Sequence, residues 1–363
     1  MPGSDRRPDQ EARAKISVLI PALHRPDLTR TCLDSLRAQS LYGQCEIIVV
    51  ENDAGSGPIL TKPLPENVRR LLLPRNFGFA GAINQGLKMA AGEYVLLLNN
   101  DVQLHKDCLG ELTRALQMRP DLAFAVGKLM CGKDPSRLDG AGDELLLAGA
   151  SYRLGSGDTD TGQFECEREP LGCCAAAALL RKSVLVTLEG LDQDFFAYLE
   201  DVDLALRSSW LGFHGAYIPQ AIAYHQGSAT LGQPLHPKIA FWMTRNQWLL
   251  LLKNYSLAMW FRLLPRVLCF QVLWMLLLFR HGRILAWVLG VLDALRLLPR
   301  MLRKRRLVMA SRKVSGQQML NRLRLSERQL YEWHTRRIVE SRSRLLSVYF
   351  RIFGAPKAIG AVQ

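Results

Sequence analysis

The sequence lacks the patterns that mark several protein classes. It has eight cysteines but no Cys-x-x-Cys pair, and Cys173 and Cys174 are adjacent, which suits neither a zinc site nor a regular disulfide framework. Reduced, buried thiols in a cytosolic protein are therefore the favoured interpretation. The polar stretch 1–15 has no apolar segment typical of a secretory signal, so we expect the first domain to face the cytoplasm. With 48% hydrophobic and 22% charged residues, the chain is neither collagen-like nor wholly disordered.

Common glycine-rich nucleotide-binding motifs are also missing. No Gly-x-Gly-x-x-Gly is present, which disfavours a Rossmann dinucleotide site. No Gly-x-x-x-x-Gly-Lys-Ser/Thr is present, which disfavours a P-loop.

Acidic residues are scarce in the last third of the chain. Residues 236–363 contain 24 Lys+Arg and 4 Asp+Glu, a net charge of +20, whereas residues 1–235 contain 23 and 29, a net charge of −6. The first part therefore has the charge of an ordinary soluble domain. The second part should seek an anionic surface, either lipid headgroups or nucleic acid.

The same region has no uninterrupted apolar run long enough for a simple membrane span. The runs 267–279 and 284–298 have 13 and 15 residues, and the second contains Asp293 and Arg296, whereas a span needs about 20. Five of the seven tryptophans lie between 242 and 287, and a basic run follows at 300–313. These features predict two helices embedded in the inner face of a membrane and held by anionic headgroups. A buried hairpin of a soluble protein and a spanning hairpin remain alternatives. Residues 326–353 are predicted to form one amphipathic, surface-bound helix.

Apolar strands alternate with helices in the first part of the chain. Strands are predicted at 15–21, 46–51, 68–73 and 94–98, and helices at 28–38, 81–91 and 109–118. The small-residue run 172–180 fits either a strand or a helix. This alternation predicts an α/β fold whose mostly parallel sheet is flanked by helices. Ligands of such sheets bind beyond the carboxyl ends of the strands.

Polar residues follow each predicted strand and suit a nucleotide, which needs acceptors for base and ribose, donors for phosphate and room for close backbone approach. They are Pro21, His24 and Arg25 after the first strand, Glu51, Asn52 and Asp53 after the second, Arg75, Asn76 and the 78–81 loop after the third, and Asn99, Asn100 and Asp101 after the fourth.

An acidic cluster begins a later predicted helix. Glu200, Asp201 and Asp203 lie within four positions. Acidic residues favour the first turn of any helix, but three so close together exceed what capping requires. Mutual repulsion raises the pKa of at least one carboxyl, which suits a general base.

Five motifs together resemble those of the family 2 inverting glycosyltransferases, closest to the rhamnosyltransferase-like branch. They are ISVLIP (16–21), IVVEN (48–52), NFGFAGAIN (76–84), LLNND (97–101) and EDVDL (200–204). The resemblance covers residues 15–225 and implies a GT-A fold that binds a nucleoside diphosphate sugar and a divalent metal, Mg²⁺ or Mn²⁺. It implies a domain at 15–235, preceded by a disordered segment at 1–14. A membrane-associated segment at 236–313 and a basic amphipathic helix and tail at 314–363 follow.

The resemblance assigns donor and metal roles by position. Pro21 and Arg25 would line the nucleotide pocket, and Glu51, where the family more often has aspartate, would meet the base or ribose. The 76–84 loop would cover the nucleotide, with Asn76, Gly78, Gly81 and Asn84 as its donor-binding residues. Asn99, Asn100 and Asp101 occupy the DxD position, whose first aspartate is missing, so that Asp101 is the metal ligand there. His225 matches a metal-binding histidine of some relatives, although a packing role is the alternative.

The resemblance also assigns the chemistry. Asp201 would take the proton of the acceptor hydroxyl, with inversion at the anomeric carbon, and Glu200 or Asp203 would orient the acceptor. Arg207 is expected in a structural ion pair. The expected donor is a nucleoside diphosphate sugar, with rhamnose as the favoured sugar and dTDP-rhamnose as one candidate, and the base stays open between thymidine, uridine and guanosine. The expected acceptor is a lipid-linked or cell-surface glycan. The expected place is the cytoplasmic face of the inner membrane, peripheral or monotopic, in cell-envelope polysaccharide biosynthesis.

Two other functions compete with sugar transfer. A sugar nucleotidyltransferase would need a Gly-x-Gly-Thr-Arg type of loop after the first strand, where Ala22, Leu23, His24 and Arg25 stand instead. A nucleic-acid-binding protein could use the basic tail. Its arginines surround tryptophan- and leucine-rich helices rather than a polar groove, which favours a membrane and predicts no nucleic acid partner.

Overall fold

The computed structural model describes residues 15–55, 57, 60, 63–227, 235–337 and 343–356. The segment expected to be disordered, 1–14, lies outside them. The strands are β1 (Ile16–Ala22), β2 (Cys45–Asn52), β3 (Val68–Leu73), β4 (Tyr94–Leu98), β5 (Val102–Leu104), β6 (Leu122–Cys131), β7 (Asp134–Gly140), β8 (Asp143–Leu145), β9 (Ser151–Arg153), β10 (Ala177–Arg181) and β11 (His214–His225). The helices are α1 (Pro26–Arg37), α2 (Gly78–Leu87), α3 (Cys108–Met118), α4 (Lys182–Thr187), α5 (Glu200–Trp210), α6 (Pro237–Asn254), α7 (Leu257–Arg280), α8 (Ile284–Ser311), α9 (Gly316–Arg336) and α10 (Arg344–Phe353).

The main sheet is mixed rather than mostly parallel. Its order over the described residues is β3-β2-β1-β4-β10-β6-β11-β5, with β7 paired to β6. Strands β1 to β4 are parallel, as predicted from their apolar runs. The parallel pattern ends at β10, which runs antiparallel to both β4 and β6. The predicted α/β architecture, a sheet flanked by helices with a helical C-terminal region, is confirmed, and the ambiguous run at 172–180 leads into a strand.

Alternate side chains of the strands enter two separate cores. Val18 and Ile20 pack on one face with Leu33 of α1 and Leu109 of α3. Leu19 packs on the other face with residues of α2 and α5. Because both faces of the sheet are covered, these strands appear in the sequence as continuous runs of apolar residues.

The C-terminal helices share a third core with α5. Leu206 and Trp210 of α5 pack there with Leu250 of α6, Met301 of α8 and Leu323 of α9. The Trp210 indole also donates a hydrogen bond to the Asn254 carbonyl at 3.0 Å. Helix α5, which begins with the acidic cluster, is therefore held between the sheet and the C-terminal helices.

The prediction of a single surface-bound helix at 326–353 is wrong. Helix α9 ends at Arg336 and α10 begins at Arg344. Their apolar faces pack inside the protein, since Leu330 and Tyr349 are fully buried in one core. Buried Glu327 accepts hydrogen bonds from Tyr349 at 2.9 Å and from the Leu147 amide at 2.6 Å. The amphipathic pattern of this region therefore reflects packing of its apolar face against the rest of the protein.

Helix α7 has an unusual surface. Within the described residues it alone is long and apolar enough to cross a bilayer, a test that core helices of soluble proteins also pass. Only 28% of its most apolar stretch is buried inside the protein. The helix therefore leaves much of its apolar side chains uncovered.

Candidate active site

The turn after β4 places Asp101 beside His225. Strand β5, which follows the turn, pairs antiparallel with the end of β11 and aligns Val102 with His225. The Gln226 amide also donates to the Asp101 carbonyl at 3.1 Å. As a result, Asp101 Oδ1 lies 3.4 Å from His225 Nε2. The structure thus brings together the two residues predicted to bind metal.

A chain of charged side chains continues from His225 toward α5. His225 Nδ1 lies 2.9 Å from Asp139 Oδ2, and Arg153 binds the same carboxylate. The Arg153 guanidinium then contacts Asp143, with Nε 3.3 Å from Oδ1. Pairing of β8 with β9 sets Asp143 opposite Arg153. The network ends near Asp201, whose pKa responds to the charges of both Asp143 and Arg153.

Sequence reasoning missed the middle of this network. The sequence feature that could have indicated it is the stretch DGAGD (139–143), in which two aspartates flank two glycines. A Cβ atom at Gly140 would lie 2.0 Å from Cγ of Arg153. Glycine is therefore required there for Arg153 to lie across the turn between its two carboxylate partners.

The buried imidazole of His225 is influenced by two carboxylates. Burial alone would lower its pKa, but hydrogen bonds to Asp101 and Asp139 outweigh burial and raise the pKa of His225 to about 9. The two acidic neighbours thus create a site that favours positive charge.

Asp201 begins α5 with both carboxylate oxygens held by backbone amides. The Ala175 N–H donates at 3.0 Å and the Val202 N–H at 2.8 Å. Burial, followed by the negative charge of Asp143, raises the pKa of Asp201 to about 6, although the two amides and Arg153 oppose the rise. A carboxylate with this pKa is ionised at neutral pH and more basic than an ordinary aspartate, as a general base requires.

The other members of the acidic cluster have different surroundings. Glu200 is buried, and its Oε2 has no hydrogen-bond partner among the described residues. Burial and the neighbouring charge of Asp201 raise the pKa of Glu200 well above its ordinary value. Glu200 therefore favours the neutral form and can donate a proton in a hydrogen bond.

Asp203 points away from this chemistry. Its Oδ2 accepts from Arg207 Nε and Lys253 Nζ, both at 2.8 Å, and its Oδ1 accepts from Asn254 Nδ2 at 2.9 Å. The expected ion pair of Arg207 is confirmed. These contacts use both oxygens of Asp203 to join α5 to α6.

The loop before α5 has a strained backbone. Phe196, Tyr198 and Leu199 all have positive φ angles, at 63°, 72° and 66°, which cost energy in residues with side chains. The Asn246 side-chain amide, on α6, lies 2.9, 2.8 and 2.6 Å from the carbonyl oxygens of Phe195, Ala197 and Tyr198. Asn246 therefore supports the backbone that presents Glu200 and Asp201. Nothing local in the sequence pointed to it.

The predicted donor residues surround the carboxyl ends of the first strands. Pro21 lies in β1. Arg25 follows it, forms an ion pair with Asp27 at 2.8 Å and interacts electrostatically with Asp101. Glu51 lies one residue before the end of β2 and is fully buried, with its Oε1 3.8 Å from Arg70 Nη1 and 3.4 Å from the Leu60 amide.

Most of the expected 76–84 loop is helical, because α2 begins at Gly78, and the start of this helix meets the strained loop directly. Gly78 has a φ of +73°, and a Cβ atom there would lie 2.3 Å from the Phe196 carbonyl oxygen. Asn76 Oδ1 accepts from the Gly78 amide at 2.8 Å and shapes this approach. The Asn84 side chain binds the Leu191 backbone instead. Its Nδ2 donates to the Leu191 carbonyl at 2.6 Å, and its Oδ1 accepts from the Leu191 N–H at 2.9 Å. Gly81 packs closely on Phe77 within α2.

The two asparagines before Asp101 help to fix the turn. Asn100 Nδ2 donates to Thr29 Oγ1 at 3.1 Å, and the backbone N–H of Asn99 donates to the Ala176 carbonyl at 2.9 Å. Both residues thus anchor the turn to α1 and to the segment before β10.

The residues present fit a divalent metal with few protein ligands. No group of three or more His, Cys, Asp or Glu in the described part of the chain could hold a metal. Asp101 and His225 offer two donors, which suffices for ions that take one or two protein ligands together with phosphate oxygens. Asp139 on the second nitrogen of His225 is the arrangement that orients metal-binding imidazoles.

Residues 17–188 match the family described as glycosyl transferase family 2. This region is a family 2 glycosyltransferase domain. The match spans β1 to α4 and includes Asp101, Asp139, Asp143 and Arg153. Residues 189–363, including Asp201 and His225, lie outside it.

Two named relatives are similar to part of this chain. It is 29% identical over 240 residues to the O-antigen biosynthesis protein RfbC of Myxococcus xanthus, covering 63% of this chain and 19% of the relative. It is 30% identical over 189 residues to the N-acetylglucosaminyl-diphospho-decaprenol L-rhamnosyltransferase of Mycobacterium tuberculosis, covering 46% and 61%. The chain thus spans a fifth of the first relative and under two thirds of the second.

A solved structure is distantly similar to this chain. The mannosyltransferase PcManGT from Pyrobaculum calidifontis, solved with GDP-Man and Mn²⁺, aligns with a TM-score of 0.46 and 14% identity. The alignment covers 87% of this glycosyltransferase and 81% of that chain.

Proposed function

We propose that this glycosyltransferase moves rhamnose, with inversion, from dTDP-rhamnose to a hydroxyl of a lipid-linked glycan. The observation that carries the proposal is the ion-pair network from Asp101 and His225 through Asp139 and Arg153 to Asp143, whose charge acts on Asp201. A pair of groups suited to the leaving diphosphate is thereby connected to a carboxylate suited to the attacking alcohol. The named rhamnosyltransferase relative supports the choice of sugar.

Asp201 acts as the general base in this proposal. As the acceptor oxygen forms its bond to the anomeric carbon, the hydroxyl proton passes to Asp201. The bond from the anomeric carbon to the diphosphate oxygen breaks, and its electron pair leaves with the nucleoside diphosphate. Attack opposite the leaving group inverts the anomeric configuration. Glu200, next to Asp201, can orient the acceptor through a hydrogen bond.

Asp101 and His225 hold the divalent metal, Mg²⁺ or Mn²⁺, in this proposal. Such an ion, when bound, neutralises negative charge that develops on the leaving diphosphate. Asp139 keeps the His225 ring in place, and Arg25 adds a positive charge near Asp101. Asn76 and Gly78 shape the loop that we assign to the donor, together with Pro21, Glu51 and Gly81.

A membrane surface brings the enzyme and a lipid-linked acceptor together. Helix α7 exposes apolar side chains that recur every three or four residues along one face, at Leu257, Phe261, Leu264, Leu268, Val272, Leu276 and Phe279. Phe261, for example, is 80% exposed. Helix α8 continues this surface with Leu285, Leu289, Leu292 and Leu295. An uncovered apolar surface of this extent marks an interaction site, and the basic residues of α8 suit anionic headgroups. The proposed location is the cytoplasmic face of the inner membrane.

A donor panel tests the proposal. The purified full chain, in detergent micelles with Mg²⁺ or Mn²⁺, is incubated with dTDP-rhamnose, UDP-sugars and GDP-mannose, and thermal protection is recorded. Turnover is then measured with an N-acetylglucosaminyl-diphospho-isoprenoid. We expect selective protection by dTDP-rhamnose and a product of inverted anomeric configuration by NMR. Protection by a different nucleotide sugar would replace the proposed donor, and a retained configuration would remove the single-displacement mechanism.

A further inference from the structure

A cavity of about 640 Å³ opens beside the strained loop before α5. Its walls come from that loop, α6 and α8. The volume lies within the range of about 300–1,000 Å³ that is common for small-molecule sites. Nothing in the proposed donor and metal sites uses it.

The cavity carries a surplus of positive charge. Arg245, Arg296, Arg300 and Arg303 line it, against one carboxylate, Asp194, among the described lining residues. Three of these arginines are partly neutralised, because Arg300 pairs with Asp194 at 2.5 Å and Arg245 and Arg296 share Asp293. Arg303 is exposed and forms no ion pair within the described part of the chain. The cavity can therefore bind an anion with several oxygens, because planar guanidinium groups bind such anions well.

An aromatic wall connects the cavity to the strained loop before α5. Phe196 and Trp242 line the cavity, with ring centroids 5.3 Å apart. Tyr198 stacks on the same indole at 6.1 Å. Phe196 precedes Glu200 by four residues. A ligand against this wall therefore contacts the loop that presents the general base.

An apolar strip on α8 leads directly into the arginines. Leu285, Leu289, Leu292 and Leu295 are each about half exposed or more. Leu292 precedes Arg296 by four residues and Arg303 by eleven, so it lies on the same face of the helix as these two cavity arginines. A molecule whose apolar tail follows this strip would place an anionic headgroup in the cavity.

We propose that this cavity binds the diphosphate of a polyisoprenoid-linked acceptor. The arginines bind the phosphate oxygens, the α8 strip contacts the isoprenoid, and the Phe196–Trp242 wall contacts the adjoining sugar. This inference deepens the proposed function and rests on it for the identity of the acceptor as a lipid-linked glycan. Inorganic diphosphate, the donor diphosphate and anionic phospholipid carry related chemistry, and the test separates them.

The test measures binding of farnesyl diphosphate to the full chain in neutral detergent micelles, by calorimetry, with no sugar donor present. Arg303→Gln removes the unpaired cavity arginine, and Arg296→Gln/Arg303→Gln removes two. Arg306→Gln is the matched control, since Arg306 is an exposed arginine of the same helix that does not line the cavity. We expect about tenfold weaker binding for Arg303→Gln and a larger loss for the double variant, and a change below about twofold for Arg306→Gln.

Competition identifies the source of the diphosphate. We expect farnesol and inorganic diphosphate each to bind far more weakly than farnesyl diphosphate, and dTDP and phosphatidylglycerol vesicles to leave its affinity unchanged. Equal affinity in all variants overturns the inference. So does displacement by dTDP, which would assign the cavity to the donor, or by phosphatidylglycerol, which would make it a headgroup patch. If the chain binds farnesyl diphosphate in this way but never turns over a nucleotide sugar, the proposed function fails while the cavity assignment stands.

Discussion

His225 Nδ1 lies 2.9 Å from Asp139 Oδ2, and the opposite ring nitrogen faces Asp101 at 3.4 Å. The imidazole is thus fixed between Asp101, which is predicted to bind metal, and Asp139, which links it through Arg153 and Asp143 toward the proposed general base. Because Arg153 also binds Asp139, the network continues from His225 to Asp143.

Asp139→Asn should weaken metal binding about 10- to 100-fold, since the ring of His225 loses the carboxylate that orients it. Mn²⁺ binding in the presence of dTDP, followed by electron paramagnetic resonance, measures this without turnover. Asp134→Asn is the control, because Asp134 lies on the same strand, β7, and forms an exposed ion pair with Arg137. Equal Mn²⁺ affinity in the two variants would remove Asp139 from the metal site.

Asp201→Asn should lower kcat about 10²- to 10⁴-fold, because asparagine cannot take the acceptor proton. Thermal protection by the nucleotide sugar should persist, since the proposed donor residues are untouched. Asp203→Asn provides the contrast: it removes a carboxylate bound by Arg207 and Lys253, so we expect lower stability instead. Unchanged turnover in Asp201→Asn would rule out the assigned base.

Activity should fall as the pH drops through about 6. The pKa of Asp201 is raised to about 6, and only its ionised form accepts a proton, so at pH 5 about a tenth of the base is available. Asp143→Asn removes a negative charge that raises this pKa, and should move the acidic limb of the kcat/KM profile down by about half a unit or more.

Asp160→Asn is the control for this pH shift, because Asp160 pairs with Lys128 and does not act on Asp201. Profiles of wild type, Asp143→Asn and Asp160→Asn should show the shift in Asp143→Asn alone. An upward shift in Asp143→Asn would contradict the electrostatic account of the base.

Asn246→Ala should lower both stability and kcat. The variant leaves the carbonyls of Ala197 and Tyr198 without the Asn246 amide, at a cost of about 1–3 kcal/mol for a buried polar group. The loop that presents Asp201 should then lose its fixed shape and kcat should fall about tenfold or more. Gln247 lies next to Asn246 on α6, and Gln247→Ala removes a buried hydrogen bond from Gln271 of α7, so it should lower the Tm with little effect on kcat. A similar kcat in both variants would show that Asn246 acts on stability alone.

Phe261→Glu/Leu268→Glu should abolish binding to phosphatidylglycerol-containing vesicles without lowering the Tm, since both side chains are exposed. Met118→Glu is the matched control, because Met118 is an exposed apolar residue of the catalytic domain. Cosedimentation measures binding. Vesicle binding by the double variant at the wild-type level would exclude the exposed face of α7 as the membrane surface.

The apolar runs of the first hundred residues determined the local elements. Strands β3 and β4 begin and end where the sequence predicts, and the other early strands differ by a residue at their ends. These predictions work because both faces of the strands are buried, so continuous apolar runs are needed. The 326–353 region failed because an amphipathic pattern specifies one buried face but not whether lipid or protein covers it.

The sequence by itself determined the alternation of strands and helices, the charge difference between the two parts of the chain, and the motifs that hold Asp101 and Asp201. Only the tertiary structure decided that Asp139, Asp143 and Arg153 lie between them, that Asp203 binds Arg207 and Lys253, and that Asn246 supports the strained loop before α5. The physical reason is that local elements depend on the periodicity of neighbouring residues. Side-chain networks depend on strand pairing and helix docking between residues far apart in the chain, and no short stretch of sequence records those contacts.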